Sequence, residues 1–156
     1  MEIRIDDLRG PEIAALLEGH LAHMRTLSPP DTVHALDLGA LRVPSVTFWT
    51  VWDKGELLGC GALKELAPDF AEIKSMRTAP EHRNKGVGEF VLRHILTNAR
   101  ERGYDRVSLE TGTHADFQSA HRLYKRFGFT YCDAFADYEI TPHNVCMTLE
   151  LTNDVD

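Results

Sequence analysis

Two periodicities run along the chain, and together they lay out its elements. Over residues 87–101, Val87, Val91, Ile95 and Ala99 recur every fourth residue. Leu92 and Leu96 widen that stripe, Phe90 flanks it, and Glu89, Arg93, Thr97, Arg100 and Glu101 fall on the other side. This pattern predicts a helix with one buried and one wet face, stopped by Gly103. Residues 145–151 alternate instead: Val145, Met147, Leu149 and Leu151 against Cys146, Thr148 and Glu150. They predict a strand with one solvated face. Residues 46–52 are β-branched and aromatic and predict another strand. A turn over 53–56 returns the chain as a strand over 57–66, and a turn over 67–69 leads to a third strand over 70–78. Gly59 and Gly61 inside the second of these strands predict a bulge or the close approach of other atoms.

The remaining segments complete the order. Residues 2–5 predict a short strand. Pro11 suits the first turn of a helix whose apolar face is Ile13, Leu16, Leu17, Leu21 and Met24. Residues 28–45 are irregular: Pro29 and Pro30 break the first helix, and Val33, Leu36, Leu38 and Leu41 suggest a short second helix or turn. A strand is expected over 106–111. A helix is expected over 114–127, with Phe117, Ala120, Leu123, Tyr124 and Phe127 inward and Gly128 as its stop. A strand over 129–133 and a loop over 134–144 precede the last strand. Strand, helices, three-strand meander, helix, strand, helix, two strands describes an α/β (α+β) fold, a mixed sheet with helices packed on it. No repeat or linker divides the 156 residues, so a single domain over 1–156 is expected.

Composition narrows the partners. A net charge of -7 disfavours a nucleic-acid partner and is compatible with a cationic or neutral small substrate. No apolar run is long enough to span a bilayer and no signal-peptide pattern is present, so no membrane partner and a cytoplasmic location are expected. Cys60, Cys132 and Cys146 show no CxxC spacing and read as reduced residues within strands. His20 and His23 share a helix face without a third ligand close in sequence. They read as solvated histidines, and no metal is expected.

The chemistry concentrates in Arg83-Asn84-Lys85-Gly86-Val87-Gly88, where a polar loop enters the helix over 87–101. Two glycines let backbone approach a ligand, the first helical amides are unpaired, and Arg83 and Lys85 add charge. This is a candidate phosphate or pyrophosphate site. A surface helix with a glycine-rich entry and no ligand is the bland alternative. A dinucleotide-dependent oxidoreductase fits poorly, because the third glycine of that fingerprint is replaced by Val91 and residues 79–85 separate strand from glycine.

With these residues in hand, the chain resembles the GCN5-related N-acetyltransferase (GNAT) superfamily. Arg83, Gly86 and Gly88 fit its acyl-CoA signature, and Ala120, Tyr124, Gly128 and Phe129 fit a second signature. The run Leu109-Glu110-Thr111-Gly112, with Phe117, Leu123, Phe135, Tyr138 and Met147, looks like one bacterial subgroup of small acetyltransferases. The resemblance implies a mostly antiparallel sheet of about six to seven strands, splayed in the middle and flanked by about four helices. It implies acetyl-CoA as co-substrate and transfer of its acetyl group to a primary amine of a small molecule by direct attack in a ternary complex. An acyl-CoA-binding sensor without catalysis is the alternative. Dimers are common in the family, so a homodimer is compatible with it.

The site residues follow from the same resemblance. The strand Met76, Arg77 and Thr78 would pair with the pantetheine arm, the N–H of Met76 facing the thioester carbonyl. Arg83, Asn84, Lys85, Gly86, Val87 and Gly88 would cradle the pyrophosphate. Tyr124 is the candidate general acid, or else a buried core tyrosine. Glu72 is the candidate base, or else a strand carboxylate paired with a nearby Lys or Arg; Glu110 and His114 are lesser candidates. Phe117 stands where many members carry a cofactor-contacting Asn, so Gln118 or Ser119 is expected to replace that contact. Residues 28–45 and 134–144 are expected to form the acceptor pocket. Their balance of Asp31, Asp37, Asp133, Asp137, Tyr138 and Glu139, set among Leu36, Leu41 and Phe135, against Arg42, His34 and His143 favours a cationic amine.

Overall fold

In the computed structural model, which describes residues 1–27 and 38–151, seven strands form one sheet. Strand β1 is Glu2–Ile5, β2 Val46–Asp53, β3 Glu56–Ala67 and β4 Phe70–Thr78. Strand β5 is Arg106–Gly112, β6 Thr130–Cys132 and β7 Asn144–Glu150. Helix α1 is Pro11–Leu27, α2 Leu38–Leu41, α3 Val87–Glu101 and α4 Gln118–Arg126. The strand order is β1-β2-β3-β4-β5-β7-β6. Every neighbouring pair is antiparallel except β4 with β5. No helix among the described residues is long and apolar enough to cross a membrane.

The sheet is packed on both faces, which explains why β3 is apolar from Leu57 to Leu63 rather than alternating. On one face Val87, Val91, Leu92, Ile95, Leu96 and Ala99 of α3 pack with Trp49, Val51, Leu63, Ile73, Val107, Leu109 and Met147. On the other, Ile13 and Leu17 of α1 and Leu41 of α2 pack with Phe48, Leu57, Cys60 and Ala62. Both glycines in β3 admit α3. A Cβ on Gly61 would lie 2.7 Å from Val91 Cγ1 and 2.9 Å from Ile95 Cδ1, and one on Gly59 would lie 2.8 Å from Val87 Cγ1.

Two irregularities in β4 shape the centre. Opposite Gly61 the strand carries an extra residue, because Cys60 pairs with Arg77 and Ala62 with Lys74. This is a β-bulge, with Ser75 at a left-handed φ of 58°. Strand β4 then leaves its parallel neighbour. Pairing with β5 covers only Phe70–Arg106, Ala71–Val107 and Glu72–Ser108, although β4 runs on to Thr78 and β5 to Gly112. A wedge-shaped gap therefore opens beyond Glu72.

Two segments depart from expectation. The helix expected over 114–127 is a 3-10 turn, Ala115–Phe117, followed by α4. Phe117 lies across Gly112, where a Cβ would come within 2.4 Å of its ring, and His114 Nδ1 caps the turn by accepting from the Asp116 N–H at 3.0 Å. The strand expected over 129–133 shrinks to Thr130–Cys132, because Phe129 is turned into the core to close α4.

Candidate functional site

The loop from β4 to α3 is built as a cup. Pro80–His82 form a 3-10 turn, and Asn84 and Gly86 take left-handed φ values of 64° and 82°. Gly86 is the N-cap of α3 with no side-chain cap, so the first-turn amides are left open. A Cβ on Gly86 would meet nothing within 4 Å, which leaves space in front of those amides. Gly88 serves packing instead: its Cβ would lie 3.3 Å from Leu123 of α4. Arg83 and Lys85 are exposed beside the cup. Buried His82 anchors it, with Nε2 2.6 Å from Glu56 Oε2 and Nδ1 3.0 Å from Lys85 Nζ. Since a lysine ammonium can only donate, Nδ1 accepts and Nε2–H donates to Glu56.

Tyr124 is buried in the core on the α3 side of the sheet. Its position is held by the way α4 ends. Gly128, at φ 99°, donates to Lys125 O at 3.0 Å, and Phe129 N–H donates to Tyr124 O at 3.0 Å. These are the two bonds of a Schellman motif, whose accompanying apolar contact is Tyr124 against Phe129 at 5.7 Å between ring centres. The Tyr-x-x-x-Gly-Phe spacing is thus a helix-ending device that locks the tyrosine. Its hydroxyl has no hydrogen-bond partner among the described residues, and burial pushes the phenol above its usual range.

Glu72 lies on the opposite face and is 3% exposed. Tyr138, from the loop over 134–143, donates its hydroxyl to Glu72 Oε2 in a short hydrogen bond. Lys74 Nζ lies 3.4 Å from the same oxygen and 3.3 Å from the Tyr138 hydroxyl. The pairing with a nearby lysine, held open from sequence, is therefore present. Burial, then the hydrogen bond and charge of Glu72, pushes the Tyr138 phenol well up. Phe135 stacks edge-on against Tyr138 at 5.1 Å and against Phe70 at 5.8 Å, so aromatic packing seats the loop on β4.

Other candidates fall elsewhere. Glu110 accepts from Asn144 Nδ2 at 3.0 Å. His114 is spent on the cap described above. Gln118 and Ser119 are exposed on the first turn of α4, and Phe117 offers a ring where the Asn would offer an amide. Met76 is half-buried against the α3 core, while Thr78 Oγ1 faces Gly88. Asp133, Asp137, Glu139 and His143 are exposed, and Arg42 is turned away to the carbonyls of Asp7 and Leu8. Asp31, His34, Leu36 and Asp37 lie outside the described residues.

His20 corrects an expectation. It is not a solvated histidine: burial, then the charge of Arg77, pulls its pKa down to about 4. Lys74, His82 and Glu56 were not singled out from sequence. Strand alternation from Glu72 does place Lys74 on the same face, but nothing local joins Glu56 to His82.

Comparison with known proteins agrees with this geometry. The family model described as Acetyltransferase (GNAT) family matches residues 13–129. The chain belongs to the GNAT family. Along its full length it is similar to the uncharacterized N-acetyltransferase YsnE of Bacillus subtilis, 52% identical over 151 residues that cover 97% of this chain and 100% of YsnE. A crystal structure of a candidate acyl-CoA N-acyltransferase from Klebsiella pneumoniae shares 30% identity and superposes with a TM-score of 0.79, covering 97% of each chain. A GNAT acetyltransferase from Elizabethkingia anophelis, solved with acetyl-CoA bound, shares the fold at 20% identity and a TM-score of 0.71, covering 96% of this chain and 97% of its own. This protein is a GNAT acetyltransferase with the split sheet of that fold.

Proposed function

We propose that this GNAT acetyltransferase transfers the acetyl group of acetyl-CoA to the primary amine of a small molecule within a ternary complex. The observation that carries the reading is the arrangement around the gap between β4 and β5. Tyr124 lies on one side of the sheet, Glu72 faces the other, and the open amides of α3 follow the end of β4. The cup from Arg83 to Gly88 takes the pyrophosphate through backbone N–H groups and the charges of Arg83 and Lys85. The edge of β4 at Met76, Arg77 and Thr78, unpaired by β5, pairs with the pantetheine arm. The Met76 N–H polarises the thioester carbonyl.

The amine attacks from the face of Glu72. Its nitrogen bonds to the carbonyl carbon, the C–S bond breaks, and the proton shed by nitrogen passes to Glu72, directly or through the Tyr138 hydroxyl. Lys74 and Tyr138 hold that carboxylate in one orientation. Tyr124 donates a hydrogen bond to the sulfur as charge develops on it. A thiol of pKa near 8.5 is a stronger acid than this phenol. Hydrogen-bond donation therefore stabilises the leaving thiolate without complete proton transfer.

Thiol release from acetyl-CoA across a panel of primary amines tests the reading. Amine-dependent release that Glu72→Gln slows supports it. Release that no amine accelerates overturns it.

A further inference from the structure

The α1 side of the sheet carries side chains that the chemistry above does not use. Helix α1 packs against β3 and β4. The charge of Arg77 on β4 reaches His20, and His23 Nε2 lies 3.7 Å from Asp116 Oδ2, on the turn that follows β5. Among the described residues, two buried side-chain polar atoms lack any hydrogen-bond partner: His20 Nδ1 and Arg77 Nε. They belong to this one pair. Among the described residues no carboxylate acts on Arg77; the charges it feels there are those of Arg83 and the Cys60 thiol. His20 feels Arg77, His23 and Arg83, all of the same sign. Arg77 is half-buried, and an enclosed Nε–H without an acceptor is costly to hold. Arg77 Nε is a donor without an acceptor, and His20 Nδ1 can donate beside it in one tautomer, a pair that suits a carboxylate.

The bulge in β4 decides which face this charge occupies. Residues directly opposite in the ladder share a face. Lys74 pairs with Ala62 and Arg77 with Cys60, and both partners belong to the core beneath α1. Strand alternation puts Glu72 there with Lys74. Without the extra residue at Ser75–Met76, position 77 would point to α3. The bulge restores Arg77 to the face from which the amine approaches. Cofactor phosphate is already served on the loop by Gly86, Arg83 and Lys85. Glu72 is balanced by Lys74, so it does not repel an anion held further along the strand.

We propose that Arg77, with His20, binds a carboxylate on the acceptor, so that the substrate is an amine that also bears a carboxylate, of the amino-acid class. This rests on the reading of the protein as an amine acetyltransferase and gives that reading a substrate class. It differs from the cationic preference drawn from the loop carboxylates, of which Asp133, Asp137 and Glu139 are exposed.

The test uses the full chain, acetyl-CoA, and α- and ω-amino acids each beside its own carboxamide. Thiol release should favour the carboxylates in kcat/KM. In Arg77→Gln that preference should fall roughly 10- to 100-fold, the scale of losing a charge-assisted hydrogen bond. Arg77→Lys, which keeps the charge but not the fork, should recover part of it. Equal use of acids and carboxamides by the wild type, or a preference intact in Arg77→Gln with the loss in acetyl-CoA affinity instead, overturns the proposal. A second readout is independent of turnover. The His20 imidazole resonances should shift on addition of the amino acids to wild type and stay fixed in Arg77→Gln. If no amine is acetylated yet His20 responds, the carboxylate site stands and the amine-transfer reading fails. If His20 is silent, the site itself fails.

Discussion

Replacing Gly86 with glutamate places a carboxylate at the mouth of α3, where the pyrophosphate is expected. A Cβ at this position meets nothing within 4 Å, so the change creates no clash with the protein. The left-handed φ of 82° costs any L-residue about 1–2 kcal/mol. Gly86→Ala carries that strain alone and serves as the control. A charge about 5 Å from a phosphate oxygen is repelled by about 0.8 kcal/mol at the dielectric of water and about 3.3 kcal/mol at an effective value of 20. Acetyl-CoA affinity should therefore fall about 4- to 250-fold beyond the alanine control. The loss should shrink at high salt, where screening shortens the reach of exposed charges. Calorimetric titration of acetyl-CoA into both variants, beside their thermal unfolding, measures strain and repulsion separately. Equal affinity in Gly86→Glu and Gly86→Ala would refute the placement of the pyrophosphate at this helix.

Other substitutions reach the remaining parts of the site. Tyr124→Phe keeps the ring against Phe129 and loses only the donor, so kcat should drop roughly 100-fold while acetyl-CoA affinity changes little; steady-state kinetics with calorimetry decides. Tyr138→Phe removes one of the two partners of buried Glu72 and should lower stability by about 1–3 kcal/mol, read by denaturant unfolding at neutral pH. His20 is held near pKa 4 in the folded chain against 6.5 as a free side chain. Between those values the unfolded chain binds the extra proton, so stability rises with pH across that window and falls as pH drops from 6.5 toward 4. His20→Gln should flatten this slope in a series of unfolding curves.

Much of the fold was legible because its signals are local. The α3 stripe, the alternation of β7 and the β-branched run of β2 each report one element packed on one or two faces. Both signature motifs are local as well. Gly86 opens a helix, and Gly128 with Phe129 closes one while locking Tyr124. What escaped depends on contacts between elements. Periodicity within β4 cannot reveal the extra residue at Ser75–Met76, because a bulge is defined by the strand opposite. That one residue decides which face receives Arg77. The apolar residues from Phe117 to Phe127 suggest one continuous helix, yet Phe117 is drawn onto Gly112 and the helix starts one residue later. The hydrogen bond from Tyr138 to Glu72 joins a loop to a strand with four elements between them. The burial of His20 depends on the crossing of α1 over β4. Neither has a trace in spacing.

The measurement that bears most directly on the proposed reaction is the mass of the acceptor after turnover. Purified protein incubated with acetyl-CoA and a panel of amine-bearing acids should yield one or more products heavier by a single acetyl group, attached at nitrogen. Thiol should appear in equal amount, and both should fall together in Glu72→Gln and Tyr124→Phe. Thiol release without any acetylated nitrogen, or products formed equally well by those variants, would contradict transfer to an amine at the gap between β4 and β5.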